Sequence, residues 1–255
     1  MLTEHTLAGL DLSDKIAVVT GASSGIGRAV ALLLGSRGAA VTVNYANDSE
    51  RAHQVAEQIT AIGTKALAIK ADVSDESDVR RLIETTEAHL GPVDILVNNA
   101  GIKTGAGAFS ECEIATWDLH YRVNVRSAVL MSKAVLSGMV ERGWGRIVNV
   151  SSRAARLGSA HDAIHYAASK AAMDALTLGL GLEYADTGVL VNAVAPGVID
   201  TPMHTNVRSW FDSTVQAVPM RRAGTSEEIA EVIAFLASPA NSYMLGEIVT
   251  VGGGR

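Results

Sequence analysis

The chain has 255 residues, a formal charge of −6, and 48% hydrophobic against 19% charged residues, a balance that excludes a disordered chain. Basic residues fall in scattered pairs such as Arg80-Arg81 and Arg221-Arg222, which gives no nucleic-acid footprint. The one cysteine, Cys112, rules out an internal disulfide or a cysteine-based metal cluster, and the sequence offers no other metal site.

Residues 1–14 are polar and aperiodic and predict a surface lead-in, with no basic region followed by an apolar stretch that would mark a signal peptide. The free thiol and the missing leader together predict a cytoplasmic protein. Ile16 to Thr20 reads as a short buried strand, followed at once by Gly21-Ala-Ser-Ser-Gly-Ile-Gly27 and by a helix marked by Ile26, Val30, Leu33 and Leu34 and closed by Gly38. Strand, glycine turn and helix in succession set phosphate oxygens against free N–H groups at a helix N-terminus. Glycines permit that approach because they carry no Cβ and tolerate positive φ. The apolar residues from Ile16 to Val43 are broken by Gly21, Gly25, Arg28, Arg37 and Gly38, which argues against a membrane span.

Strand signals then recur at Val41 to Tyr45, Ala66 to Ile69, Ile95 to Val97, Ile147 to Val150, Val189 to Val194 and Glu247 to Val251. Helical periodicities lie between them at 52–62, 79–83, 115–142, 166–184 and 229–237, the last opened by the capping box Thr225-Ser-Glu-Glu228. This alternation predicts an α/β fold, a parallel sheet of about seven strands with helices on both faces. Ligands of such sheets bind beyond the carboxyl ends of the strands, where Gly21, Asp72, Asn98, Ser152 and Pro196 fall. Small residues on the 166–184 helix (Ala171, Ala172, Gly179, Gly181) predict close packing against another subunit. The weakly periodic segment 200–222 interrupts the pattern as a substrate lid or a surface excursion would. No repeat or linker divides the chain, so 1–255 reads as one domain.

The chemistry is expected between Arg146 and Lys170. A β-branched run stops at Ser151-Ser152, and Tyr166 and Lys170 follow, four residues apart, on one helix face. A neighbouring ammonium favours phenolate, which would lower the tyrosine's pKa and suit Tyr166 to general acid/base work.

These residues resemble the short-chain dehydrogenase/reductase family. The motifs are Thr20-Gly-Ala-Ser-Ser-Gly-Ile-Gly27, Asp72-Val73, Asn98-Asn-Ala-Gly101, Asn124, Ser152, Tyr166-Ala-Ala-Ser-Lys170 and Pro196-Gly197. The resemblance extends from about Lys15 to Arg255 and implies a Rossmann-type doubly wound sheet that binds a nicotinamide dinucleotide. It implies that Gly21, Gly25 and Gly27 seat the pyrophosphate, with Ser23, Ser24 and Ile26 also binding the cofactor, that Asp72 and Val73 meet the adenine, that Asn98 supports the fourth strand beside the cofactor, and that Ala100, Gly101, Pro196, Gly197, Val198 and Thr201 border it. Tyr166 would protonate the substrate oxygen as hydride arrives. Ser152, rather than Ser151, would hydrogen-bond that oxygen, Lys170 would hold the ribose, and Asn124 would anchor a water linking Lys170 to solvent. The gap from Ser152 to Tyr166 is one residue longer than is common in the family, which a loop insertion at Arg156-Leu-Gly158 absorbs.

Cofactor choice turns on Asn44, Tyr45 and Ala46 at the end of the second strand. No carboxylate stands there to repel a 2′-phosphate, while Ser24 replaces a basic residue common in NADP enzymes, so NADP is favoured over NAD with dual use open. The resemblance implies a carbonyl reductase or an alcohol or sugar dehydrogenase acting on a small molecule as a homotetramer, with glucose dehydrogenases close in pattern. The alternative is a 3-oxoacyl-carrier-protein reductase, for which Arg153, Arg156, Arg208, Arg221 and Arg222 would form a docking patch instead of scattered charges. A non-catalytic dinucleotide sensor is the remaining alternative. Ala154, Leu157, His165, Val198 and segment 200–222 are the expected pocket wall.

Overall fold

The computed structural model describes residues 9–203 and 208–255. Its centre is one parallel sheet of seven strands in the order β3-β2-β1-β4-β5-β6-β7. The strands are β1 Ile16–Val19, β2 Ala40–Tyr45, β3 Ala66–Lys70, β4 Ile95–Asn98, β5 Gly145–Val150, β6 Val189–Pro196 and β7 Ile248–Val251. The strand order reverses between β1 and β4, so the loops that leave these neighbours diverge to opposite faces and open a crevice at their carboxyl ends.

The helices are α1 Gly25–Ser36, α2 Ser49–Ala61, α3 Glu76–His89, α4 Ile114–His120, α5 Ser127–Glu141, α6 Ala154–Leu157, α7 Ile164–Glu183, α8 Arg208–Gln216 and α9 Ser226–Leu236. Successive strand side chains point to opposite faces, and both faces are covered. Ala17, Val19, Ile95, Val97, Val148 and Val150 join the core under α1, α2 and α9. Val18, Leu96 and Ile147 join the one under α3 and α5. Two-sided burial explains why these strands read as mainly apolar, β-branched runs, in which Arg146 and Asn149 of β5 are buried polar interruptions.

Three expectations need correction. The lead-in does not simply lie on the surface: Leu12 is fully buried and its N–H bonds the Arg37 carbonyl at 2.8 Å, while Gly9 accepts from Ala240 N. Residues 1–8 of that lead-in lie outside the described residues. The helix expected over 115–142 is interrupted by a π-helical segment, Tyr121–Arg126. Its wider turn shifts the faces, so that Tyr121 is 59% exposed whereas Asn124 is buried. Among the small residues of α7, Gly181 serves the chain's own packing, since a Cβ there would stand 2.9 Å from Gly246 Cα and N.

The segment 200–222 is closed at its base. Ile199 pairs with Gly224 in a parallel bridge, and Asp200 N donates to the Gly224 carbonyl at 3.0 Å. Its α8 buries Phe211, and Val218 beyond it is also buried; residues 204–207 lie outside the described residues.

Because the Gly181 clash is against backbone, Gly181→Ala is expected to lower stability by about 1–3 kcal/mol through overpacking. Urea unfolding followed by circular dichroism checks this, with Gly179→Ala, at an exposed site with open space around it, as the neutral comparison.

Candidate active site

The crevice between β1 and β4 is a cleft of about 790 Å³ counted to its open mouth, bordered by Gly21, Ser24, Gly25, Asn99, Gly101, Ser152, Tyr166, Lys170, Pro196, Gly197 and Thr201, among others. Its floor is laced together. The Thr20 hydroxyl accepts from Asn99 N and Ala100 N, both at 2.9 Å, and Asn99 Nδ2 donates to the carbonyls of Thr20 and Gly21. Gly27 has no room for a side chain: a Cβ would lie 2.4 Å from Asn99 Nδ2 and 2.5 Å from Gly21 O. Gly21 and Gly25 take φ of 61° and 54°, the left-handed region that glycine adopts without strain. At the start of α1, Ser24 makes no side-chain cap and the first turn carries no acidic residue. These N–H groups, at the positive end of the helix, suit an anion such as a pyrophosphate, so the residues present fit a dinucleotide.

Other residues implied in cofactor binding support the cleft without lining it. Asn44 sits beneath the glycine turn, accepting from Gly21 N at 3.3 Å and donating to the carbonyls of Ile69 and Ala71. Tyr45 is buried, bonded to Ser49 and packed edge-on to His53. Asp72 accepts from the backbone and hydroxyl of Ser74, and Val73 is in the core under α3. Asn98 donates to Asn149 Oδ1 at 2.9 Å and to Ser132, tying β4 to β5 and α5. Ser23 is half-buried and Ala100 backs Gly21. Val198 borders a second cavity, and so do Ala154 and Leu157.

That second cavity, about 990 Å³ to its mouth, adjoins the first and shares Ser152, Tyr166, Gly197 and Met203 with it. Lys103, Arg153, Asp162 and Thr214 add polar groups. Ser152 comes from the end of β5, Tyr166 from α7, Gly197 from the end of β6 and Met203 from segment 200–222. Ser152 and Tyr166 both border the two cavities, and Ser152 Oγ accepts from Ala154 N at 3.1 Å, whereas Ser151 is turned away towards Asp174. Lys170 is 4% exposed, donates from Nζ to the Val150 carbonyl at 2.7 Å, and has Nζ 5.9 Å from the centre of the Tyr166 ring.

The expectation of an acidified phenol does not hold for this arrangement. Burial pushes the Tyr166 phenol above its ordinary value, and the Ser152 side chain only partly offsets it. The ammonium, spent on Val150, is not against the phenol oxygen. Burial also brings Lys170 down to about 8, with the Asp174 charge acting against it.

Asn124 is fully engaged. Its Oδ1 accepts from Ile102 N at 2.8 Å, and its Nδ2 donates to Ile102 O and to Ser169 Oγ. It thus pins the start of the loop after β4 while standing beside Gly101, where a Cβ would meet both Asn124 Oδ1 (3.2 Å) and Lys170 Nζ (3.4 Å).

The sequence reading missed the rest of that loop. Lys103 pairs with Asp162 at 2.6 Å. Thr104 is clamped by two histidines: its N–H donates to His120 Nε2 at 3.2 Å, and its carbonyl accepts from His165 Nε2 at 2.8 Å. His120 therefore carries its proton on Nδ1, which bonds the Thr116 carbonyl, and His165 turns its Nδ1 towards the Cys112 thiol at 3.4 Å. His165 thus supports the pocket wall from behind. Nothing in the spacing of Asp162, His120 or His165 signals these contacts, because they join distant segments.

His120 has no exposed surface, and burial holds its imidazole below the ordinary value, the Thr116 carbonyl opposing and His165 adding to the effect. The unfolded chain takes up a proton near pH of about 6.5 and the folded one resists it. The stability contribution is therefore full above that pH and is lost as pH falls through it towards the lower folded value. Melting temperature is expected to decline between about pH 7 and 5, and His120→Asn should flatten that slope; an unchanged slope in a thermal series would refute the assignment.

Comparison with known proteins agrees with this geometry. The sequence profile of the short chain dehydrogenase family matches residues 15–212. The chain is 40% identical to cis-4-hydroxycyclohexanecarboxylate dehydrogenase of Sinomonas cyclohexanicum, covering 96% of this chain and 98% of that protein. It is 39% identical to the 3-oxoacyl-[acyl-carrier-protein] reductase FabG of Pseudomonas aeruginosa, with 96% and 98% covered. A short-chain type dehydrogenase/reductase from Mycobacterium marinum superposes with a TM-score of 0.93 at 34% identity, over 97% of this chain and 98% of that one. A cleft built for a dinucleotide, a hydroxyl pair at its junction with a second cavity and these likenesses lead to one conclusion: the chain belongs to the short-chain dehydrogenase/reductase family, oxidoreductases that move hydride between a nicotinamide dinucleotide and a secondary alcohol or ketone.

Proposed function

We propose that the protein is a carbonyl reductase or alcohol dehydrogenase in which Tyr166 is the general acid/base, Ser152 binds the reacting oxygen, and Lys170 and Asn124 organise the site. The observation that carries this reading is the position of the Ser152 and Tyr166 hydroxyls, which border both cavities at once. A carbonyl reaching that junction from the second cavity meets two hydroxyl donors. The glycine turn and the other residues bordering the first cavity would hold a nicotinamide dinucleotide, whose chemistry would be to supply or accept the hydride. As charge develops on the substrate oxygen, Ser152 and Tyr166 stabilise it, and Tyr166 delivers its proton. A phenol kept protonated by burial is ready to donate, which suits the reductive direction. Lys170 brings a positive charge that favours the phenolate left behind.

NADP is the favoured cofactor. At the end of β2 the side chains of Asn44 and Tyr45 are occupied, and the nearest acid, Asp48, caps α2 and pairs with Arg51 at 3.4 Å. No carboxylate is left there to reject a 2′-phosphate.

The substrate is a small carbonyl or alcohol compound. Leu157, Met203, Ala154 and Val198 give its cavity an apolar side, and Lys103, Asp162 and Arg153 a polar one. An acyl-carrier-protein substrate has less support: Arg222 is held by Glu228 at 2.6 and 2.8 Å and Arg221 by the Gln216 carbonyl, which takes two charges from the docking patch.

The protein would work as one domain and as a cytoplasmic homotetramer. No helix among the described residues is long and apolar enough to cross a membrane, and α7 exposes Leu178 and Leu182 at 48% and 70%, an apolar face suited to a second copy. Segment 200–222, whose Thr201, Met203 and Thr214 border the cavities, would act as the lid.

NADPH oxidation with a panel of ketones tests the reading. Tyr166→Phe is expected to lower kcat by about 10²–10⁴-fold, with the NADPH dissociation constant, read by fluorescence, changed less than about twofold. Full activity in that variant would remove Tyr166 from its role, and tighter binding of NADH than NADPH would reverse the cofactor assignment.

A further inference from the structure

Two of three consecutive residues at the end of β5 engage α7, and the third lines the cavities. The Val150 carbonyl accepts from Lys170 Nζ at 2.7 Å, the Ser151 hydroxyl donates to Asp174 Oδ1 at 2.5 Å and lies 3.3 Å from the Lys170 carbonyl, and Ser152 borders the same two cavities as Tyr166. On the helix, Tyr166, Lys170 and Asp174 are spaced by four residues and so share one face. On the strand, Ser151 continues the alternation of Ile147 and Asn149; Ile147 packs in the core under α3 and α5, and Asn149 donates to Thr177 of α7 at 2.9 Å. The pleat therefore delivers Ser151 to the same side, and the turn beyond it delivers Ser152 to the cleft.

We propose that Asp174 is a positioning residue for the reaction: through Ser151 it fixes the end of β5 on α7 in the register that brings Ser152 to Tyr166, and it sets a carboxylate one helical turn from the Lys170 ammonium. The proposal rests on the roles given above to Tyr166, Ser152 and Lys170.

The electrostatics support the geometry. Burial raises the Asp174 carboxyl above its ordinary value, while the Ser151 hydrogen bond, Arg156 and Lys170 draw it back. Burial lowers Lys170 to about 8, and Asp174 is the group that acts against this. The titratable and charged groups around the face are thus Tyr166, Lys170 and Asp174 of α7 and Arg156 of α6, with His120 beside the Tyr166 ring at 6.5 Å. Nothing in the reaction needs a carboxylate here, yet the only acid on this face stands one turn from the lysine and holds the serine next to Ser152.

Asp174→Asn keeps the shape and an acceptor for Ser151 but removes the charge, whereas Ser151→Ala removes the tie and keeps the charge. Two measurements separate them. In the cofactor-free protein, NMR titration of isotopically labelled lysines, with the Lys170 signal assigned by Lys170→Arg, should show the Lys170 midpoint in Asp174→Asn about one pH unit lower than in the parent. In turnover, the alkaline limb of kcat should move the same way, and Asp174→Glu should restore it. Ser151→Ala should lower kcat about tenfold at every pH, leaving both the limb and the cofactor affinity in place. An unmoved Lys170 titration in Asp174→Asn, or full activity in Ser151→Ala, would overturn the proposal. If the parent reduces no ketone with either nicotinamide, the reading of function fails instead, and the titration alone decides whether Asp174 controls the lysine.

Discussion

Lys170 puts an ammonium where 4% of the residue meets solvent, and a charge in such a place demands compensation. The Val150 carbonyl accepts from it at 2.7 Å, and Asp174 lies one turn further along the same helix. That demand brings the end of β5 against α7, so the same contacts that satisfy the lysine draw the Ser152 and Tyr166 hydroxyls together. The site follows from one buried cation on a helix and one strand end obliged to meet it.

A second constraint acts on the opposite wall. The loop Ile102-Lys103-Thr104 leaves β4 with no strand beside it, and backbone polar groups in such a place need partners. Asn124 serves both the N–H and the carbonyl of Ile102, Asp162 takes the Lys103 amine, and His120 and His165 take the N–H and carbonyl of Thr104. The π segment matters because it is what carries Asn124 inward to this duty. Asn124, expected to serve the proton path, is in this structure first a clamp on the wall that faces the substrate cavity.

Much of this was legible in the sequence, for physical reasons. Strands covered on both faces are mainly apolar and β-branched, so Ile147, Val148 and Val150 declare themselves, and glycines such as Gly27 mark where no Cβ fits. Tyr166 and Lys170 were legible because helical spacing is a short-range property. Asp174 bears the same spacing to Lys170 and could have been found by extending that rule one turn. Leu12, Asp162 and His120 could not, and neither could the hold of His165, expected in the pocket wall, on Thr104, since their partners are remote in the chain and no local period announces them. The direction of the Tyr166 shift runs against the spacing because a four-residue interval shows that a cation is on the same face, whereas burial of the phenol, which raises its value, has no local period.

The bridge between Ile199 and Gly224 closes the base of the excursion that contains α8. Beyond that clasp, changes in length or composition of the excursion need not disturb the register of β6 and β7, because the chain re-enters the body at a fixed gate. On the proposed role of the excursion as a substrate lid, substrate preference and hydride chemistry would fall in separate compartments of heredity: new specificities would be sampled in the excursion as in an interchangeable cassette, while the catalytic floor is inherited intact.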